Sequence, residues 1–407
     1  MKSVRTLYVC YFGLREPLVQ TQVLPYLREI AATGVEVYLL TFEPHLRREW
    51  DPKMLSDEQD RLANEGIKWS ALAYHKRPSL PATLYDIAAG AWTIARLVRR
   101  HRLDVVHARA HVPMAMALLA ARVTGCRLVF DIRGLMAEEY ADAGVWAERS
   151  LKFRAVKMLE RAGIRKADQV VVLTQAMREW LRESRLKSVE NVEVIPCCVD
   201  FARYSEPNLE AGVEPDSFEV VYAGSVTGLY LLEEMAKFFS TLRKHEPRAF
   251  LRILTRSPQE AIARICDAGL TPANFWVGGV SASEVPHYLR RARLGLSFRK
   301  STFSQLAASP TKIPEYLAAG LPVVSNAGIG DVDDLLKSER VGVVVNNFTV
   351  EEFERAALRA LQLASENNVR ARCLEVARRC FDVETIGANG YANVYRRLRS
   401  AASERCM

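Results

Sequence analysis

Short apolar, β-branched runs alternate with segments of helical period along nearly all of the 407-residue chain, and no other feature restricts its fold so strongly. In the first half the pattern predicts strands over Arg5–Tyr11, Val35–Phe42, Lys68–Ala73, Val105–Ala108, Arg127–Asp131, Gln169–Leu173 and Val192–Ile195. Helices are predicted between most of them, at Leu18–Ala32, Leu84–His101, Pro113–Thr124, Ala147–Lys166 and Ala176–Ser184. Strands this apolar, separated by helices, belong to a parallel sheet covered on both faces. The stretch from Pro196 to Asp216 breaks the rhythm with Pro196, Pro207, Gly212 and Pro215, and reads as a linker. Beyond it the alternation restarts at Glu219 and runs to Val345.

The expected fold is therefore α/β, with two tandem doubly wound, Rossmann-like parallel-sheet domains facing a central cleft. Their boundaries are placed at 1–203 and 204–382, followed by a helical tail over 383–407. That tail carries Ile386, Tyr391, Val394, Tyr395 and Leu398 at helical spacing. It can pack on the second domain or cross back to the first, and spacing does not choose.

Composition excludes several classes of protein. No apolar run reaches the roughly 18 residues that span a bilayer. The start, MKSVRTLYVCYFGLREP, has charges soon after its apolar run and no cleavage pattern, so no signal peptide is expected. The eight cysteines form no CxxC and no zinc spacing, which suits a reducing compartment and predicts no metal. The net charge is +8 and the basic residues cluster. One cluster, Arg149 to Lys166, interleaves cations with Leu151, Phe153, Val156, Leu159 and Ile164. Such a helix either lies on an anionic membrane surface or packs on a core with a solvated basic face. No nucleic-acid-reading motif is present.

Chemistry concentrates where predicted strands end. Ser309-Pro310-Thr311 opens a helix, Lys312 and Glu315 share its first turns, and Gly320 closes it before the strand at Val323. Backbone donors, a cation and a carboxylate in that order suit a ligand with a diphosphate at one end and a diol at the other. A nucleotide sugar is such a ligand. Gly224 follows another strand and lets the backbone approach a ligand, with Ser225 and Thr227 as hydroxyl donors. Arg299 and Lys300 leave a third strand end, where they can neutralise a diphosphate. There is no Walker A loop and no GxGxxG. Asp331-Val332-Asp333-Asp334 contains a D-x-D, but it opens a helix, where acidic residues are favoured without metal.

In the first half, Gly13 and Arg15 sit between the first strand and first helix, His107 and Arg109 end a later strand, and Asp131, Arg133 and Glu138 follow another. Polar groups at strand carboxyl ends suggest an acceptor pocket. An Asp131–Arg133 pair and a packed His107 explain the same residues structurally.

Taken together, YFGLREPLVQTQVLPYLREIAATGVEVYLL, ADQVVVLTQAMREWL, VIPCCVD, VVYAGSVTGLYLLEEM and SPTKIPEYLAAGLPVVSN resemble the GT-B glycosyltransferases. The resemblance is closest to the large retaining family called family four, and within it to members of cell-surface polysaccharide or glycolipid assembly. It implies a nucleotide-diphosphate sugar held by the second domain, and a glycan or lipid-linked acceptor held by the first. It also implies retention at the anomeric carbon, and no cofactor or metal beyond the donor substrate. The expected location is cytoplasmic, or peripheral at the inner face of the cell membrane. The family carries two glutamates eight positions apart. Glu315 matches the ribose-binding second, and the first falls on Ala307. The Arg and Lys that commonly follow the Gly224 turn are replaced by Val226 and Leu229, leaving Arg299, Lys300 or Lys312 to substitute. Lys312 and Arg299, with His107 and Asp131, are the candidate catalytic groups. Donor contacts are assigned to Gly224, Ser225, Thr227, Arg299, Lys300, Ser309, Thr311, Lys312 and Glu315. Acceptor contacts are assigned to Gly13, Arg15, His107, Arg109, Arg133 and Glu138. A nucleotide-sugar epimerase, or a silent scaffold suggested by Ala307, are the alternatives.

Overall fold

The computed structural model describes residues 3–204 and 217–404, with side chains through residue 400. Most of the expected linker therefore lies outside the described residues. The chain divides into two compact units. Unit 1 comprises Met1–Ala137, Ala147–Pro196 and Val383–Met407, and unit 2 comprises Glu138–Trp146 and Cys197–Asp382.

Unit 1 is built on β1 (Arg5–Cys10), β2 (Glu36–Glu43), β3 (Ile67–Ala73), β4 (Val105–Arg109), β5 (Arg127–Asp131), β6 (Gln169–Val172) and β7 (Val192–Val194). They form one sheet in the order β3-β2-β1-β4-β5-β6-β7, every neighbouring pair parallel. β4 and β6 are buried along their whole length, as continuous apolar runs between two helical layers should be.

Unit 2 repeats the plan with β8 (Phe218–Ala223), β9 (Ala249–Leu254), β10 (Phe275–Gly278), β11 (Leu294–Ser297), β12 (Val323–Asn326) and β13 (Gly342–Val345). The order is β10-β9-β8-β11-β12-β13, again parallel. Strand order reverses beside β1 and β4 in unit 1, and beside β8 and β11 in unit 2. Open parallel sheets bind ligands beyond the carboxyl ends of the strands at that reversal.

Local chemistry sets the element boundaries. The helix expected over Leu18–Ala32 is two helices, Pro17–Gln22 and Leu24–Ala32, broken at Val23 (φ −128°, ψ −63°). Pro25 has no N–H to give and crowds the preceding turn, so one continuous helix cannot pass through it. The basic helix starts at Leu151 rather than Ala147 because the Ser150 hydroxyl accepts from the Phe153 N–H at 3.3 Å. Pro52–Asn64 is a helix the sequence pattern missed, capped by Asp51, whose carboxylate accepts from Met54 N–H at 2.7 Å.

The tail belongs to unit 1. Its Ala388–Glu404 helix buries Tyr391, Val394, Tyr395 and Leu398. Tyr391 donates to Asp131 at 3.0 Å, and the Tyr395 hydroxyl lies 2.9 Å from His107 Nδ1 and 3.2 Å from Thr6 Oγ1. Among the described residues no helix is long and apolar enough to cross a membrane.

Candidate active site

The densest cluster of expected ligand groups lies in unit 2, where β8, β11 and the Lys312–Ala318 helix come together. An antiparallel bridge between Tyr230 and Arg299 ties the loop after β8 to the loop after β11. Leu231 N–H donates to Phe298 O at 3.2 Å and Lys300 N–H to Leu229 O at 2.8 Å. Tyr230 thus becomes the platform on which two cations converge. Lys312 Nζ stands 4.0 Å from its ring centroid, and the Arg299 guanidinium carbon 4.9 Å away. Arg299 Nη1 also donates to the Tyr230 hydroxyl at 3.3 Å.

Both cations are buried: Lys312 is 4% exposed and Arg299 9%. Among the described residues neither has a carboxylate within salt-bridge distance. Arg299 is held instead by neutral groups. Its Nε donates to Gln305 Oε1 at 2.7 Å, and its backbone N–H donates to Asn326 Oδ1 at 2.7 Å. Burial, with Arg299 adding to it, lowers the Lys312 pKa against the pull of Tyr230 and Glu315. Lys312 in turn lowers the pKa of the Tyr230 phenol. Unpaired buried charge is expensive unless an anion completes it.

Gly224, at the end of β8, has φ +141°, and a Cβ there would lie 3.3 Å from Lys312 Nζ. The glycine both permits this backbone angle and leaves the ammonium its space. Ser225 and Thr227 are exposed on the same turn, with their hydroxyl oxygens 3.2 Å apart.

Glu315 is half-buried, and its pKa is raised by burial, against Arg203 and Lys312. Arg203 Nη1 lies 3.8 Å from Oε1, beyond hydrogen-bond distance, so the carboxylate retains its acceptor capacity. Two of the remaining expected donor residues, Lys300 and Ser309, are engaged by the protein. Lys300 Nζ donates to Asp142 O at 2.9 Å, and the Ser309 hydroxyl accepts from Cys197 N–H at 3.1 Å. Thr311 occupies the N-cap without a side-chain cap bond. The helix behind it is only seven residues long, so the paired cations, more than its dipole, supply the positive field. Ala307 is buried, and Gln305 two positions earlier is the residue that orients a site cation. Asp333 accepts from Gly328 N–H at 2.9 Å, fastening the turn at the D-x-D, and the described residues hold no group of three metal-ligating side chains.

The family profile of Glycosyltransferase Family 4 matches residues 32–203, and that of Glycosyl transferases group 1 matches residues 218–363. The chain belongs to the GT-B-type glycosyltransferases. Solved structures agree on the fold. A sucrose-phosphate synthase from Thermosynechococcus elongatus superposes with a TM-score of 0.73 at 15% identity, over 98% of this chain and 100% of its own. HepE from Anabaena, in complex with UDP and glucose, gives 0.66 at 16% identity, over 95% and 98%. WaaG, a glycosyltransferase involved in lipopolysaccharide biosynthesis, gives 0.64 at 18% identity, over 98% of both chains. No curated protein matches the sequence.

The groups expected on the acceptor side of this glycosyltransferase are placed differently. His107 and Asp131 have no exposed surface. Burial opposes ionisation of Asp131, but Arg133, His107 and Arg109 outweigh it and hold the carboxyl well below the usual range. Arg133 Nη1 lies 3.3 Å from Oδ1, and Arg109 Nη1 and His107 Nε2 each lie 3.7 Å from Oδ2. With Tyr391 and Tyr395 overhead, this network anchors the C-terminal helix. It corrects the expectation that His107, Asp131 and the buried Arg109 touch substrate. Arg133 remains partly exposed beside them.

Gly13 is also a packing position, since a Cβ would meet Pro44 Cδ at 2.8 Å and Glu43 Oε2 at 2.9 Å. Arg15 is exposed and stacks 3.9 Å from a Trp50 ring centroid. Glu138 falls in unit 2 rather than unit 1. Tyr230, Gln305 and Asn326 were not found by sequence reasoning. A tyrosine two residues after a Gly-bearing turn was the one available signal.

The depressed Lys312 pKa gives this glycosyltransferase a signed pH response. A diphosphate bound beside Lys312 would favour the ammonium and move its pKa back up, so binding near or above the depressed value would take up a proton. Nucleotide affinity will fall as pH rises through the depressed value. Titration calorimetry in buffers of different ionisation enthalpy measures the uptake. The assignment fails if Lys312→Met leaves that uptake unchanged.

Proposed function

We propose that the protein transfers a sugar from a nucleoside-diphosphate donor to a hydroxyl of a glycan or lipid-linked acceptor in surface-glycan assembly, with retention of anomeric configuration. The observation that carries this reading is the pair of buried cations, Arg299 and Lys312, gathered on Tyr230 without a carboxylate partner. Around Gly224 they form a site suited to a diphosphate. Glu315 would accept hydrogen bonds from the ribose hydroxyls. The structural neighbour HepE, solved with UDP and glucose, makes UDP the first donor nucleotide to try. WaaG supports the surface-glycan assignment in the same way.

In the reaction the bond from the anomeric carbon to the β-phosphate oxygen breaks as the acceptor oxygen bonds to that carbon. The acceptor proton passes to a leaving phosphate oxygen on the same face, which preserves configuration. Negative charge grows on the departing phosphate, which Arg299 and Lys312 would stabilise as pre-aimed cations. Two fixed cations then do what a divalent metal would do, so transfer is expected to continue in chelator. The exposed cations of the Leu151–Lys166 helix support a peripheral position on an anionic membrane.

A saturating nucleoside diphosphate at about 100 times its dissociation constant will stabilise the protein by about 2.7 kcal/mol, a rise in melting temperature of roughly 5–10 °C. Glu315→Ala will weaken that ligand roughly 10- to 100-fold, as loss of hydrogen bonds to a charged group should. If no nucleoside diphosphate shifts the melting temperature, the donor site is misassigned. If a donor sugar is returned as an isomer in NMR of the products, the reaction is an epimerisation instead.

A further inference from the structure

Arg299 is joined by hydrogen bonds to a carboxylate that it does not touch. The segment Glu138–Trp146 belongs to unit 2, although the chain on either side of it belongs to unit 1. It carries most of the Met136–Asp142 helix. Asp142 fastens this segment to the loop after β11. Lys300 Nζ donates to Asp142 O at 2.9 Å, and Thr302 Oγ1 donates to Asp142 Oδ2 at 2.6 Å. From Thr302 the bonds continue inward. Ser304 Oγ lies 3.2 Å from Thr302 Oγ1, Gln305 Nε2 donates to Ser304 Oγ at 2.8 Å, and Arg299 Nε donates to Gln305 Oε1 at 2.7 Å. Ser304 and Gln305 are fully buried.

The direction of each bond follows from the groups that make it. A guanidinium only donates, so Gln305 turns its amide oxygen to Arg299 and its NH2 to Ser304. A carboxylate only accepts, so Thr302 gives its hydroxyl proton to Asp142 and accepts from Ser304. All four bonds therefore run from the cation toward Asp142. Bonds aligned in this way polarise one another in a low-dielectric interior, so the distant carboxylate acts on the guanidinium. A carboxylate in direct contact would suit a diphosphate site badly, because it would repel the ligand and use up the charge that the ligand needs. The relay takes only Nε. Nη1 meets the Tyr230 hydroxyl at 3.3 Å, and Nη2 has no protein partner among the described residues. The guanidinium is fixed along one edge and open along the other.

We propose that Asp142 is a positioning residue for the nucleoside diphosphate: acting through Thr302, Ser304 and Gln305, it orients the Arg299 guanidinium without neutralising it. The inference rests on the donor site proposed above and adds to it a residue that touches no ligand. Its sign separates it from simple electrostatics. Through space a carboxylate opposes a diphosphate, so removing a charge that is only nearby tightens binding. Removing a charge that holds Arg299 in place weakens it.

The test is titration calorimetry of the full chain with UDP and with GDP, with melting temperatures to verify that each variant is folded. Asp142→Ala and Thr302→Val should each weaken the nucleotide about three- to tenfold. Asp142→Asn keeps an acceptor but not the charge, and should fall between Asp142→Ala and wild type. Gln305→Glu sets a carboxylate directly on Arg299 and should weaken the nucleotide at least about tenfold. In a Gln305→Met background the relay is already cut, so adding Asp142→Ala should change nothing further. A residue that only packs the loop would keep its full effect there. Unchanged or tighter binding in Asp142→Ala, full affinity in Asp142→Asn or Thr302→Val, or an undiminished loss in the Gln305→Met background would each overturn the proposal. If wild type binds a nucleotide while the variants behave in one of those ways, the relay is wrong and the donor site stands. If wild type binds neither nucleotide, the donor site is wrong and the relay falls with it.

Discussion

Replacing Lys312 with methionine will cut kcat/KM with a nucleotide-sugar donor by about 10²- to 10³-fold, the usual cost of removing one pre-aimed charge stabiliser. The same substitution will raise the melting temperature of the free protein. Lys312 is buried with no carboxylate within salt-bridge distance among the described residues, and its ammonium lies against two tyrosine rings, 4.0 Å from the centroid of Tyr230 and 5.0 Å from that of Tyr222. Methionine fills similar volume without a charge to desolvate. Exchanging buried charge for an apolar side chain of like size is often neutral, or stabilising by about 1–4 kcal/mol. The gain should be largest at low pH. The unfolded chain holds the lysine proton more tightly than the native state does, so the native lysine form gains stability as pH rises between its depressed and ordinary pKa values. The methionine variant lacks that slope. Opposite movements of stability and activity would mark a residue kept for its ligand. A Lys312→Met protein that melts lower and turns over normally would show that the ammonium is a packing group.

Much of the fold could be read from the chain because a parallel sheet covered on both faces writes itself as apolar runs. β4, β5 and β6 needed nothing more. The Pro52–Asn64 helix was missed for the opposite reason. It buries only Leu62, so it leaves almost no apolar period, although Asp51-Pro52 is a sound start signal. In unit 2 the site was legible because Gly224 and Arg299 follow strand ends and Lys312 opens the helix between β11 and β12, and a doubly wound sheet gathers strand ends at its point of reversal. Tyr230 was not legible. Its role depends on a bridge to Arg299, and no local pattern encodes a pairing at that separation. The polar strand ends of unit 1 were misread for a related reason. His107 and Asp131 look alike in sequence whether they face a ligand or a helix. What decides is Tyr395, 288 positions from His107, and Tyr391, 260 positions from Asp131.

That distinction has a large consequence. Asp131→Ala will cost about 3–5 kcal/mol, because it strands buried guanidinium charge. Arg109 loses the Asp131 carboxylate at 3.7 Å, Arg133 loses its contact at 3.3 Å, and Tyr391 loses its acceptor at 3.0 Å. Against the roughly 5–15 kcal/mol that typically separates native from unfolded protein, this is severe. Melting temperature should fall by roughly 6–20 °C at 2–4 °C per kcal/mol. The Ala388–Glu404 helix, which Tyr391 and Tyr395 fasten to unit 1, should become the first site of proteolytic cutting. Asp131→Asn keeps an acceptor for the tyrosine and should lose less. The native carboxyl is held below its ordinary pKa, so its contribution is complete above the unfolded value near 3.9 and fades as pH falls through the native one. The difference between wild type and the alanine variant should therefore narrow in acid. UDP should still raise the melting temperature of both variants, since Arg299, Lys312 and Glu315 are untouched. The decisive measurement is turnover at a temperature where the asparagine variant is fully folded. Normal turnover there fixes Asp131 as an anchor of the C-terminal helix, whereas near-complete loss without destabilisation would return it to the chemistry.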